Sequence, residues 1–184
     1  SILGWGHFDA VVWGSGILKG DSAVEIFSHQ FAWGRNYDVR AVRGPRTRKV
    51  LLSAGFICPE VYGDPAVLLR EMYTPTSEKK YETSLVLHYA TDATRENIPE
   101  GLHVIDPATN DWRSFVDEVA ASERGISSSL HGIILSETYG TPTVFLSYGE
   151  HIPKQTIKFK DWYESTGRNE FSCCTSMEEA VIAP

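Results

Sequence analysis

A chain of 184 residues, 42% hydrophobic and 22% charged, has a globular composition and enough length to bury a real core. Its formal charge of -7 excludes a dedicated binder of the nucleic-acid backbone, which needs a basic face. Cys58, Cys173 and Cys174 show no zinc or C-x-x-C spacing, and no apolar run approaches the about 18 residues of a membrane span. Reduced thiols, no signal peptide and a cytoplasmic setting are the expectation.

In chain order, residues 8–13 (Phe-Asp-Ala-Val-Val-Trp) read as a short buried strand, followed directly by Gly14-Ser15-Gly16. A strand ending in glycines suits the carboxyl edge of a parallel sheet, where ligands bind; a plain tight turn is the alternative. Residues 37–42 read as a second strand. Arg43-Gly44-Pro45 then opens a helix to about residue 54, with proline at its first position and Gly55 as its stop. Val61 begins a short strand, and residues 66–72 form a helical turn. The polar stretch 74–80 reads as a hinge, dividing an N-terminal α/β domain (1–75) from a C-terminal one (81–184).

Alternation resumes beyond it. Strands are expected at 84–89, 102–105, 124–128 and 143–147, and helices at 112–122, 130–139, 159–165 and 177–182. Strands alternating with helices over short loops specify an α/β fold with mainly parallel, Rossmann-like sheets.

Two segments carry candidate chemistry. In the first, Arg35, Arg40, Arg43, Arg46, Arg48 and Lys49 face one acid, Asp38. Arg43 offers a planar fork for carboxylate or phosphate, Gly44 permits close backbone approach, and Pro45 starts a helix whose amides point back at an anion. A solvated basic run is the bland alternative. In the second, Ser127-Ser128-Ser129-Leu130-His131-Gly132 places His131 where a strand hands over to a helix. There it either contacts an anion and moves a proton, or simply fills a polar position at a helix start. Ser128 and Ser129 are candidate ligand or capping hydroxyls. Glu137 is too far round the helix to orient His131. His29 is a second candidate for the same cleft, and His88, in an apolar strand, reads as a satisfied core residue. Asp64 reads as a turn cap. No P-loop, H-E-x-x-H, G-x-S-x-G, complete G-x-G-x-x-G or Asp-x-Asp clamp occurs, so no metal site is expected.

Taken in order, Val11-Val12-Trp13-Gly14-Ser15-Gly16-Ile17, Val42-Arg43-Gly44-Pro45-Arg46-Thr47, Tyr62-Gly63-Asp64-Pro65-Ala66 and Ser128-Ser129-Leu130-His131-Gly132-Ile133-Ile134 with Gly140-Thr141-Pro142 resemble the polysaccharide pyruvyl transferase family. The resemblance spans about residues 10 to 150. It implies a two-domain arrangement like the GT-B glycosyltransferases, here with a truncated N-terminal domain, because family members are longer and carry a further loop upstream. It implies phosphoenolpyruvate as donor substrate with no cofactor, and a saccharide acceptor, free or lipid-linked. The product is a pyruvate ketal, made in the cytoplasm or at the inner face of the membrane, where the enzyme associates peripherally. On the family pattern Arg43 holds the donor's phosphate or carboxylate, and His131 binds the donor or acts as acid or base. Gly14, Ser15, Gly44, Ser128, Ser129 and His29 complete the expected substrate-binding set. A metal-independent glycosyltransferase of the same fold and a non-catalytic saccharide-binding fragment are the alternatives.

Overall fold

The computed structural model describes residue 3 and residues 9–18, 36–75, 78–91, 98–148 and 156–184. In chain order its elements are β1 (Ala10–Ser15), β2 (Tyr37–Val42), α1 (Pro45–Ser53), a 3-10 turn (Pro65–Leu68), α2 (Leu69–Met72), β3 (Tyr81–Val86) and β4 (Leu102–Val104). There follow α3 (Trp112–Ala120), β5 (Ser122–Ser127), α4 (Leu130–Thr138), β6 (Thr143–Leu146), α5 (Thr156–Ser165), β7 (Cys173–Cys174) and α6 (Met177–Ile182). All described strand pairs are parallel, so the molecule is α/β with Rossmann-like sheets, as the alternation of elements indicates.

The chain forms two compact units. The first is Ser1–Pro65 with Lys154–Phe171, and the second is Ala66–Pro153 with Ser172–Pro184. A late stretch of sequence, including α5, therefore returns to the first unit.

In the first unit β1 lies parallel to β2, with Ala10 opposite Tyr37, and Val42 makes one further parallel bridge to Tyr62. The strand expected at Val61 is thus a single bridge. Val12, Val39, Val42, Leu51 and Phe56 close the core under this sheet. Gly14 and Ser15 belong to β1 itself rather than to a loop after it. Register shifts on either side of Trp13, with Gly14 at φ 75°, carry the strand through as a bulge. Only glycine fits there twice over, since a Cβ at Gly14 would overlap the ring of Pro65.

The second unit holds a five-stranded sheet in the order β4-β3-β5-β6-β7. Successive residues of β3 and its extension point to opposite faces: Leu85 and Leu87 pack with Ile126, Leu146 and Met177, whereas Val86 packs with Ile105, Phe115 and Val119. From β3 the chain goes on to β4 on one side, and from β5 to β6 on the other. The sheet's switch point therefore lies between the carboxyl ends of β3 and β5, where open α/β sheets bind ligands.

Several boundaries move for physical reasons. β3 starts at Tyr81 because its polar opening residues are paired to β5, and β5 starts at Ser122, whose hydroxyl donates to the Glu118 carbonyl at the end of α3. Two-residue β7 adds Cys173 and Cys174 to the sheet edge through pairing with β6, a contact no local period announces. Part of the expected hinge, residues 76 and 77, lies outside the described residues; beyond it Lys79 is anchored by the carbonyls of Ala120 and Ser122.

Candidate active site

The two strand-helix junctions singled out in the sequence fall in different units. In the first unit, β2 delivers Arg43 and Gly44 to the start of α1. Gly44 caps that helix with extended backbone and no side-chain bond, and Pro45 occupies the first turn. The anion at this helix start is supplied from α5. Asp161, fully buried, accepts from the Thr47 amide at 2.9 Å through Oδ1 and from the Thr47 hydroxyl at 2.6 Å through Oδ2. The same Oδ2 lies 3.1 Å from the Arg43 guanidinium. Thr47 Oγ1 in turn accepts from the Ile17 amide at 3.0 Å.

Arg43 is itself buried. Its Nη2 donates to the Ile17 carbonyl at 2.7 Å, its backbone amide donates to the Ser15 carbonyl at 3.1 Å, and Gly16 leaves room for the guanidinium, which a Cβ there would strike. Nε makes no hydrogen bond among the described residues. Burial lowers the Arg43 pKa, and the carboxylates of Asp161 and Asp64 push it back up. A Cβ on Gly44 would collide with the Asp161 backbone carbonyl, so this glycine serves the close approach of α5. Arg46 adds a forked pair to Glu164, with Nη2 2.6 Å from Oε1. Lys158, one turn before Asp161 on α5, is also buried; desolvation, then the neighbouring Arg43 charge, lowers its pKa to about 8.

The second junction is built differently. The Ser128 amide donates to the Val86 carbonyl at 3.0 Å, and the Ser128 hydroxyl accepts from the His88 amide at 2.8 Å, which locks the end of β5 to the end of β3. Ser128 is buried and serves as a strut. Ser129 caps α4, its hydroxyl accepting from the Gly132 amide at 3.4 Å, and Ser127 Oγ donates to the Val86 carbonyl and receives the Ser129 amide. Gly132 is forced sterically: a Cβ would strike Ser127 Oγ and come within 2.9 Å of Val86. This close contact seats the first turn of α4 on the sheet and leaves His131, the second helical residue, exposed.

His131, Ser129 and Gly132 border a cavity of about 390 Å³ within the second unit. Its other walls are Tyr89 after β3, residues 107–109 after β4, Trp112, Phe115 and Val116 of α3, Leu135 of α4, and Leu69. The cavity therefore sits at the switch point, ringed by loops that leave the carboxyl ends of β3, β4 and β5. It combines an exposed imidazole, a capped helix start and aromatic walls, the ingredients of a small-molecule site with acid-base capacity.

His88 is buried, its Nδ1 accepting from the Ala90 amide at 3.2 Å, as a core histidine should be. His29 lies outside the described residues. Asp64 is buried beside Arg43. Among the described residues no cluster of three or more His, Cys, Asp or Glu is placed to hold a metal ion. No described helix is long and apolar enough to cross a membrane.

Sequence reasoning missed Asp161, Thr47, Lys158, Tyr89 and Trp112. Asp161 carries a faint signal: with Lys158 it shares one face of a helix that also presents Phe159 and Trp162, so charge and aromatics alternate where a solvated face would be uniformly polar.

Comparison with known proteins bears on this geometry. A family profile described as polysaccharide pyruvyl transferase matches residues 8–150. The chain is 25% identical over 177 residues to an uncharacterized protein of Acanthamoeba polyphaga mimivirus, covering 91% of this chain and 58% of that protein. It is 27% identical over 141 residues to the succinoglycan biosynthesis protein ExoV of Rhizobium meliloti (strain 1021), covering 72% of this chain and 42% of ExoV. The chain spans about half the length of these curated relatives.

Proposed function

The chain belongs to the polysaccharide pyruvyl transferase family, and from that premise we propose that it serves transfer of the pyruvyl group of phosphoenolpyruvate to a saccharide, with His131 as the proton-handling residue. The observation that carries this reading is the exposed His131 on the first turn of α4, at the sheet's switch point and on the wall of a cavity.

The chemistry sets the requirements. Two hydroxyls of the acceptor must replace phosphate at the central carbon of the donor, and the donor's methylene must become a methyl. One acceptor proton ends, in net terms, on that methyl carbon, and the other leaves with inorganic phosphate. An acid is needed at the methylene and a base at the attacking hydroxyl. An imidazole, which can both give and take a proton, suits either role, and the helix start behind it favours an anionic donor. Ser129 holds that first turn in place, and Ser128 fixes the loop through His88.

In the first unit, Arg43 donates to the carbonyls of Ser15 and Ile17, and Gly16 leaves room for its guanidinium. A direct donor contact by Arg43 would have to compete with Asp161 and the Ile17 carbonyl for the guanidinium. Phosphoenolpyruvate as donor argues for action in the cytoplasm, and a lipid-linked acceptor would bring the protein to the inner membrane face.

The test is direct. With phosphoenolpyruvate and a saccharide acceptor, the protein should release inorganic phosphate in step with a new methyl singlet in the proton NMR spectrum. Thermal stabilisation by nucleotide sugars alone, without phosphate release from phosphoenolpyruvate, would overturn the reading in favour of glycosyl transfer.

A further inference from the structure

We infer that the cavity beside His131 is the acceptor subsite, and that it takes one pyranose ring of the saccharide against Trp112. The inference rests on the proposed pyruvyl transfer and assigns that reaction's second substrate a place.

Volume and lining chemistry both point this way. About 390 Å³ falls within the range of roughly 300–1,000 Å³ typical of small-molecule sites. Among the described residues no Lys, Arg, Asp or Glu lines it. Phosphoenolpyruvate, with a carboxylate and a phosphate, calls for several cationic or amide donors, and the described walls offer these only at the His131 end. A sugar ring asks for the opposite: an aromatic face for its C–H groups and a few polar atoms for its hydroxyls. Trp112, Tyr89 and Phe115 supply the faces, and Thr109, Ser129 and His131 supply the polar atoms.

Trp112 is also held ready. It is the first residue of α3, just after Asp111, whose carboxylate accepts from the amides of Arg113 and Ser114 at 3.1 Å each. The Arg113 guanidinium lies 4.4 Å from the indole centroid, and Tyr73 meets the indole edge-on at 5.4 Å. Tyr73 is fixed in turn, donating to the Asp117 carboxylate at 2.9 Å. At 39% relative exposure Trp112 remains accessible, as does Tyr89 at 75%. A fixed, half-exposed indole is a stacking platform rather than core filling. Trp112 and His131 line the same cavity, so a ring seated on the indole shares that space with the imidazole the transfer needs.

The experiment is saturation-transfer NMR on the protein with methyl β-D-glucopyranoside and methyl β-D-galactopyranoside, alongside calorimetric titration with phosphoenolpyruvate. At least one pyranoside should receive saturation at its ring C–H protons. Trp112→Ala should weaken that binding about tenfold or more and Trp112→Phe by about threefold or less, since stacking depends on an aromatic face. Phosphoenolpyruvate affinity should be the same in all three proteins. Pyranoside binding indifferent to Trp112→Ala would overturn the inference, as would no pyranoside binding, or uridine or an n-octyl chain taking the cavity without competition from the pyranoside. Pyranoside binding at Trp112 in a protein that ignores phosphoenolpyruvate would leave the subsite standing and remove the pyruvyl donor.

Discussion

Two helix starts in this molecule carry the same sequence promise, a strand running into a helix past glycine and polar residues, and the structure uses them in different ways. At α1 the anion position is filled from within: Asp161 caps the Thr47 amide, pairs with Arg43 and is fully buried. At α4 the cap is a neutral serine, and His131 stands exposed beside a cavity. A helix N-terminus attracts a negative charge in either case. Whether that charge belongs to the protein or to a substrate depends on what the rest of the chain brings to it. The first junction is closed by the protein's own carboxylate, and the second stands open beside a cavity.

The sharpest way to break this comparison is at the joint. Asp161→Ala leaves Arg43 buried without its carboxylate and Thr47 without its cap, so it should cost about 3–5 kcal/mol in urea unfolding, and Arg43→Ala should cost a similar amount. Hydrogen exchange should show the protection of α1 lost while β3 and β5 of the second unit keep theirs. A loss under about 1 kcal/mol for both variants would mean that the network is not what holds α5 to α1.

At the second junction the equivalent steric probe is Gly132→Ala. The new methyl meets Ser127 Oγ and Val86, so the variant should lose about 1–3 kcal/mol and the seating of His131 with it. Unchanged stability would show that α4 has slack to move off the sheet.

The legibility of the two sites differs for a related reason. The α/β class, the helix at Pro45 and the strand-serine-histidine-helix order are local patterns, displayed by the proline and glycine that bound the first helix and by the alternation of residues 112–146. The Asp161–Thr47 bond joins positions 114 apart in sequence, and nothing in either segment points to the other. The pairing of Arg43 with Asp161 is hidden for the same reason, since that partner lies on α5. The cavity was equally hidden, since Trp112, Tyr89 and His131 come from three segments that only the sheet order brings together. The place of His131 at a helix start is a local pattern, whereas its neighbourhood in the cavity is not.

A pH experiment separates the two junctions more finely. Lys158 titrates at 10.5 in a model peptide and near 8 in the folded protein, so between those values the unfolded chain binds more protons. Its burial penalty is fully present below about pH 8 and is relieved as pH rises toward 10.5. The stability of wild type relative to Lys158→Met should therefore increase from about pH 7 to about pH 10. A flat difference would place Lys158 in water rather than in the interior of the first unit.

The smallest expected effect is at the α4 cap. Its 3.4 Å bond to the Gly132 amide is long, so Ser129→Ala should cost about 0.5–1 kcal/mol. A loss above about 2 kcal/mol would make Ser129 part of a buried network instead of a surface cap.

The central claim is that the helix start of α4, and not that of α1, receives the substrate anion. Calorimetric titration of phosphoenolpyruvate into wild type and His131→Ala, with a urea melt of each, tests it most directly. The variant should keep wild-type stability to within about 0.5 kcal/mol, because His131 is exposed, and lose about tenfold or more in donor affinity, as removal of a charge-assisted hydrogen bond dictates. Equal donor affinity in the two proteins would contradict the account and return the anion to the Arg43 side.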